Sequence, residues 1–138
     1  MNWLELYRDR VKTPEQAVSL IESKTRVFLT GNCSVPQTVL AALVRRAPQL
    51  RSVEIVQVLT IGAADYVSVG MELHLRVNTL FISDNVRAAV NEGRADFTPC
   101  FLSEIPLLFK SGQLPLDVAL IQVSPPDEHG FCSFGVEV

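Results

Sequence analysis

This chain is poor in the residues that most often announce chemistry. Its two histidines, His74 and His129, stand far apart in the sequence, so a histidine-based metal centre is not expected. Three cysteines, Cys33, Cys100 and Cys132, are odd in number and include no CxxC pair, which argues against a disulfide framework or a structural zinc site and fits a reducing compartment. Neither a P-loop nor a GxGxxG signature occurs, so the usual phosphate-cradling glycine loops are missing. Lys and Arg number 12 against 15 Asp and Glu, a net charge of −3, and no broad cationic surface is on offer to nucleic-acid phosphates. No apolar run approaches the length that spans a bilayer, and Met1 to Arg10 lacks the basic-then-apolar layout of a signal peptide. Neither nucleic acid nor membrane is therefore expected as a partner, and a cytoplasmic location is.

What the chain does contain is apolar residues, 48% of 138, enough to bury the core of one domain. Helical and strand patterns alternate without a linker or repeat, which predicts an α/β fold with a largely parallel open sheet and flanking helices. Thr13-Pro14-Glu15-Gln16 has capping-box spacing and predicts a helix to about Ser23. Arg26 to Thr30 reads as a buried strand, followed by a turn and a helix through Val39, Leu40, Leu43 and Val44, with Ser34 and Gln37 again at capping-box spacing. Val53 to Leu59 and Leu80 to Ile82 are the next strand candidates. Asp84 is expected as N-cap of a helix closed by Gly93, Phe97 to Phe101 as a short strand, and Ser103 as cap of a helix ended at Gly112. Val118 to Val123 is an apolar run broken only by Gln122, stopped by Pro125 and Pro126, which cannot donate to a ladder. A last strand is expected from Cys132 to Val138; it ends without turn or cap, which reads as part of something longer.

Ligands of open α/β sheets lie at the carboxyl ends of the strands. The segments Gly31 to Gln37, Thr60 to Ala64 and Ser124 to Gly130 therefore form one candidate crevice. The first could present helix-terminal amides to an anion, although a plain capped helix explains the same spacing. Cys33 would be an activated nucleophile there only with an orienting base, and none can be named. His74 reads as structural, Glu54 as a strand carboxylate that needs a partner, and Glu104 as a helix-start residue. No two carboxylates show a spacing diagnostic of acid–base catalysis.

Four segments, in order, resemble the acetyl-CoA hydrolase/transferase family, which includes 4-hydroxybutyrate, acetate and butyryl-CoA:acetate CoA-transferases. They are Gly31-Asn32-Cys33-Ser34-Val35-Pro36-Gln37, Val58-Leu59-Thr60-Ile61-Gly62, the run from Phe81 to Phe97, and the run from Leu116 to Gly130. With Leu102 to Pro106 they extend over most of the chain from about Thr25, and their order makes the resemblance specific to the family's N-terminal domain.

The resemblance implies a two-half enzyme in which a glutamate attacks an acyl-CoA and delivers CoA to a carboxylate through a glutamyl-CoA thioester. It implies that residues 1–138 are the N-terminal CoA-transferase-like domain. The nucleophile and most CoA contacts belong to a C-terminal half or a separate catalytic chain, so no catalytic residue is expected here and the 138 residues alone should be inactive. The substrate-binding wall expected from the three loops consists of Gly31, Ser34, Pro36, Gln37, Thr60, Gly62, Pro125, Pro126, Asp127, His129 and Gly130. Coenzyme A is expected as co-substrate with no permanently bound cofactor, short carboxylates as partners of acyl-CoA, and a homo-oligomer as the assembly. Two other readings stay open: a stand-alone, non-catalytic α/β module that binds an anionic metabolite or a partner chain, and an acetyl-CoA hydrolase.

Overall fold

The computed structural model describes residues 3–136. Five strands, β1 (Arg26–Leu29), β2 (Val53–Gln57), β3 (Leu75–Thr79), β4 (Asp96–Phe97) and β5 (Val118–Leu120), form one sheet in the order β4-β3-β2-β1-β5. Every neighbouring pair is parallel. The helices are α1 (Trp3–Arg10), α2 (Pro14–Val18), α3 (Gln37–Arg46), α4 (Asp84–Asn91) and α5 (Ile105–Lys110). The α/β architecture expected from the alternating pattern is the one adopted.

Parallel strands need cover on both faces, and the alternation of side chains supplies two apolar layers. Val27, Leu29, Val53, Ile55, Leu75 and Val77 pack with Leu40 and Leu43 of α3, Ala89 of α4 and Val18 of α2. The opposite face carries Phe28 and Val56 against Ile105, Leu108 and Phe109 of α5, with the Phe28 and Phe109 rings edge to face at 5.5 Å. The chain lays down β1 to β4 in one direction, then returns to place β5 on the other side of β1. The order therefore reverses between β1 and β5, a topological switch point.

Several elements differ from expectation for identifiable reasons. The Thr13 capping box forms, with Gln16 N–H donating to Thr13 Oγ1 at 3.2 Å and Thr13 N–H to Gln16 Oε1 at 3.0 Å. That helix stops at Val18 rather than Ser23; the Ser19 hydroxyl turns back to the Gln16 carbonyl, a local bond that competes with continuation, and Arg46 takes the Val18 and Ile21 carbonyls. The second box does not form. Pro36 occupies the N-cap position of α3 without a side-chain bond, and Ser34 is buried with its carbonyl accepting from Thr30 Oγ1 at 2.8 Å.

The third strand is Leu75–Thr79, not Leu80 to Ile82. Its polar members are satisfied sideways: Asn78 donates to Glu54 and Arg76 to Asp96, which lets a mixed sequence sit in the sheet and gives Glu54 its partners, Arg26 included. The N-cap of α4 is Ser83, with Asp84 as its first residue. Of the expected 97–101 strand only Phe97 falls in a paired strand, Asp96–Phe97, with Pro99 following closely. Ser103 lies inside a single tight turn, Leu102–Glu104, and it is the Glu104 carboxylate that accepts the Phe101 N–H. β2 and β5 end earlier than expected, at Gln57 and Leu120. Residues 132–136 form no strand, and Glu137 and Val138 of that expectation lie outside the described residues.

Candidate functional site

Because β1 lies between β2 and β5, the loops that leave the carboxyl ends of these three strands are neighbours, with the β3 loop beside that of β2. The middle loop is a tight turn: Ser34 N–H donates to the Gly31 carbonyl at 2.9 Å, and Asn32 takes a left-handed conformation at φ 48°, one that Asn tolerates better than most residues. Gly31 is there for close approach. A Cβ at this position would collide with the Leu59 carbonyl oxygen, which instead accepts the Asn32 N–H at 2.6 Å while Asn32 and Thr60 form a parallel bridge. The turns after β1 and β2 are thus tied together.

Between the loops after β2 and β3 lies a cleft of about 410 Å³, lined by Thr60, Ile61 and Gly62 on one side and by Phe81, Ser83, Asn85 and Arg87 on the other. A hydrogen-bond triangle lies beneath it. The Tyr66 hydroxyl donates to Gln57 Oε1 at 2.9 Å, Gln57 Nε2 donates to Thr60 Oγ1 at 3.2 Å, and Thr60 Oγ1 stands 3.0 Å from the Tyr66 hydroxyl. All three residues are buried, so each polar atom needs such a partner. Burial pushes the Tyr66 hydroxyl above its ordinary pKa, against the lowering effect of its Thr60 and Gln57 bonds; Tyr66 stays a neutral donor. Asn85 extends the network upward, donating through Nδ2 to Thr60 Oγ1 and to the Gly62 carbonyl, each at 3.2 Å, and accepting from Ser83 Oγ at 2.7 Å.

A second crevice, about 450 Å³, sits at the switch point between the loops after β1 and β5. Ser34 faces Gln122, Val123, Ser124 and Pro125 there, together with Ser133, Phe134, Gly135 and Val136. Its outer wall folds back on itself, with Ser124 N–H donating to the Ser133 carbonyl and Ser133 N–H to Ser124 Oγ, both at 2.9 Å. At the tip, Asp127 Oδ1 accepts from the N–H groups of His129 and Phe131, each at 2.9 Å, and Gly130 N–H closes on the Asp127 carbonyl. Phe131, Phe134 and Val136 are exposed.

The sequence-derived residues therefore separate. Thr60 and Gly62 line the first cleft; Gln37 does not line it but borders the same loop from α3, its Nε2 donating to the Ile61 carbonyl at 3.4 Å. Ser34 and Pro125 line the second. Gly31 and Pro36 are buried scaffold of the middle loop. Pro126, Asp127, His129 and Gly130 belong to the turn beyond the second crevice and line neither space. Asn85, Ser83, Arg87 and Tyr66 went unnoticed as site residues. The first three stand in the run Phe81 to Phe97 that carries the family resemblance, but the buried partner of Tyr66 has no sequence signal. Cys33 and Cys132 are exposed, while burial and the nearby Glu104 push the half-buried Cys100 thiol above its ordinary value, away from the reactive thiolate. His74 is structural, its Nδ1 2.8 Å from the Leu50 carbonyl. Among the described residues no cluster of three His, Cys, Asp or Glu could hold a metal ion, and no helix is long and apolar enough to cross a membrane.

The chain has counterparts among known proteins. The sequence model of the acetyl-CoA hydrolase/transferase N-terminal domain matches residues 1–138. The chain is 47% identical over 136 residues to the 4-hydroxybutyrate coenzyme A transferase of Clostridium kluyveri, covering 99% of this chain and 32% of that protein. It is 39% identical over 126 residues to the succinyl-CoA:acetate/propanoyl-CoA:succinate CoA transferase of Fasciola hepatica, covering 90% of this chain and 26% of the relative. The solved 4-hydroxybutyrate CoA-transferase of Porphyromonas gingivalis superposes with a TM-score of 0.75 at 31% identity, over 96% of this chain and 29% of that one. RipA from Yersinia pestis, at 24% identity, shares the fold with a TM-score of 0.87 over 99% of this chain and 34% of its own. The chain thus spans between about a quarter and a third of the length of these proteins, and it belongs to the acetyl-CoA hydrolase/transferase family, matching that family's N-terminal domain.

Proposed function

We propose that this domain forms one wall of the active-site cleft of a CoA-transferase that moves CoA from an acetyl- or other short-chain acyl-CoA to a short carboxylate. The observation that carries this reading is the cleft beneath Gly62, where a glycine-containing loop in left-handed conformation meets the start of α4. Among the described residues no protein group accepts from the amide N–H of Gly62 or Ala63. Such amides are suited to hold the carboxylate or the acyl oxygen, where charge develops in acyl transfer. Gln37 borders the same loop, and Ser34 and Pro125 shape the neighbouring crevice.

The chemistry rests on a glutamate outside these residues, in a C-terminal half of the polypeptide or a separate catalytic chain. Its carboxylate attacks the acyl-CoA carbonyl and expels CoA thiolate, leaving an acyl-glutamyl anhydride. The thiolate then attacks the glutamyl carbonyl, releasing the first carboxylate and forming a glutamyl-CoA thioester. The acceptor carboxylate reverses the sequence and leaves as its own CoA thioester. Coenzyme A is co-substrate throughout. A cleft between two halves excludes water during transfer yet opens to exchange one carboxylic acid for another. The exposed Phe131, Phe134 and Val136 supply apolar surface for the covering half, and we place the assembled enzyme, a homo-oligomer, in the cytoplasm. The domain alone is inactive.

The test uses the full-length gene product. Incubation with acetyl-CoA and a short carboxylate, followed by borohydride, is expected to trap the glutamyl thioester and to abolish exchange. No trapped adduct and no CoA exchange overturns the transferase reading; thiol release that needs no acceptor marks the hydrolase that the family also contains. Gln37→Ala is expected to raise KM for the carboxylate about threefold, as loss of one weak hydrogen bond does, and normal kinetics for both substrates would remove Gln37 from the wall.

A further inference from the structure

We propose that Asn85 is a positioning residue that sets the conformation of the Thr60–Ala64 loop, and with it the affinity of the cleft for the carboxylate substrate. The inference rests on the carboxylate-cleft reading above and assigns a role to a side chain outside the loops where substrate is expected.

The loop has little of its own to hold it. Gly62 lies at φ 104°, Ile61, Gly62 and Ala63 are exposed, and the contact from Gln37 Nε2 to the Ile61 carbonyl is long at 3.4 Å. Asn85 supplies the missing restraint. One amide donates to both ends of the turn, Thr60 Oγ1 and the Gly62 carbonyl, at 3.2 Å each. The amide cannot flip without loss, because a flip would turn Oδ1 onto the Gly62 carbonyl, which only accepts, whereas in the present orientation Nδ2 donates to that carbonyl and Oδ1 accepts the Ser83 hydroxyl at 2.7 Å. Ser83 gives up the usual N-cap bond to do this: it stands at the N-cap of α4 with no side-chain cap bond, although Ser is among the preferred capping residues.

The restraint is anchored below. Thr60 Oγ1 is held by Gln57 Nε2 and the Tyr66 hydroxyl, two side chains 0% and 1% exposed. A single hydrogen-bonded path therefore runs from the buried core through Thr60 and Asn85 to the Gly62 carbonyl. Fixing that carbonyl toward α4 fixes the peptide plane that follows it, so the Ala63 N–H has one direction instead of several. A loop whose donors are pre-aimed spends less on ordering when the substrate binds. Asn85 thus acts through the loop rather than by touching the reacting atoms.

The experiment compares wild-type full-length enzyme with Asn85→Ala and Ser83→Ala, using acetyl-CoA and acetate or 4-hydroxybutyrate as the carboxylate. Asn85→Ala is expected to raise KM for the carboxylate about tenfold, the factor that the loss of one or two neutral hydrogen bonds carries. KM for acetyl-CoA should change less than about threefold, because CoA binds mostly through the other half and only its acyl end meets this loop. The borohydride-trappable glutamate fraction should stay near that of the wild type. Ser83→Ala, which keeps the amide but removes the hydroxyl that holds its Oδ1, is expected to raise the carboxylate KM about threefold, and it serves as the readout should the Asn85→Ala variant fold poorly. An unchanged carboxylate KM in both variants, or a loss that tracks only the trappable fraction, overturns the proposal. A wild-type enzyme with neither exchange nor adduct overturns the cleft reading itself.

Discussion

Between β2 and β3 the cleft floor rests on Gln57, Thr60 and Tyr66, all buried and bonded to one another, whereas the turn beyond the β1–β5 crevice is wired only to itself in solvent. The first is supported from the core outward, through Asn85 to Gly62. The second is held by Asp127 bonding to its own successors and by the stiffness of Pro125 and Pro126. Both lie at strand carboxyl ends, but only one is organised by the folded domain alone. The other presents Phe131, Phe134 and Val136 outward, apolar surface that the proposed covering half would bury. The contrast suits a cleft whose one side must be pre-set and whose other side must respond to closure.

The largest effect should come from the residue that joins these regions. Gly31 belongs to the turn between them, and an added Cβ meets the Leu59 carbonyl, a backbone atom that cannot swing aside. Gly31→Ala is expected to cost about 3 kcal/mol, the upper part of the overpacking range, read as a lowered urea midpoint. It should also remove the Asn32–Thr60 bridge and with it the shared geometry of the two loops. An unchanged midpoint would mean that the loops are independent.

A pair of milder substitutions sharpens the contrast between core-supported and self-wired loops. Tyr66→Phe removes the donor to Gln57 Oε1 and leaves a buried acceptor unpaired, which should lower global stability by about 2 kcal/mol. Asp127→Ala removes two bonds that are both exposed. Its effect should stay local: faster amide hydrogen exchange at His129 and Phe131, with a change in the urea midpoint equivalent to less than about 0.5 kcal/mol. If Asp127→Ala lowered the midpoint as much as Tyr66→Phe, the turn would have to be part of the cooperative core, and the distinction would fall.

The same contrast explains what could be read before the fold was known. Runs such as Val27-Phe28-Leu29 and Ile55-Val56 are apolar on successive residues, so their burial between two layers follows from pattern alone, and with it the parallel α/β sheet. β3 was misplaced because Arg76 and Asn78 look unsuited to a strand; their cost is met by Asp96 and Glu54, partners 20 and 24 residues away. Loop positions were legible for the same local reason that Gly31, Gly62 and Pro125 punctuate the sequence. The wiring was not. Nothing near Asn85 in the chain reveals that its amide meets a carbonyl 23 residues earlier, and nothing near Asp127 reveals that its carboxylate is already taken by its own turn. His129 and Asp127 drew attention by residue type, whereas the cleft was built by Asn85, Ser83 and Tyr66, whose significance is positional.

The smallest expected effect lies at the β4 edge of the sheet. Arg76 on β3 donates through Nε and Nη2 to both carboxylate oxygens of Asp96 on β4, each at 2.6 Å. The guanidinium, chiefly through these bonds, holds the Asp96 carboxyl below its ordinary pKa. With the folded value depressed, the unfolded chain binds the proton more readily. The pair's contribution is therefore complete above the unfolded carboxylate value of about 4 and is lost as pH falls through the lower folded value. The side chains remain 40% and 51% exposed, so solvent screening limits the contribution to about 0.3 kcal/mol. Urea midpoints of wild type and Asp96→Asn should differ by that small amount at pH 6 and converge as pH falls below the depressed folded value. The difference should also shrink in 1 M salt, where screening acts within about 3 Å. Carboxylate KM should not change, because this pair secures an edge strand and has no bond to the Asn85 path. A KM shift in Asp96→Asn as large as that in Asn85→Ala would show that cleft affinity follows sheet stability in general rather than the one hydrogen-bonded path to Gly62.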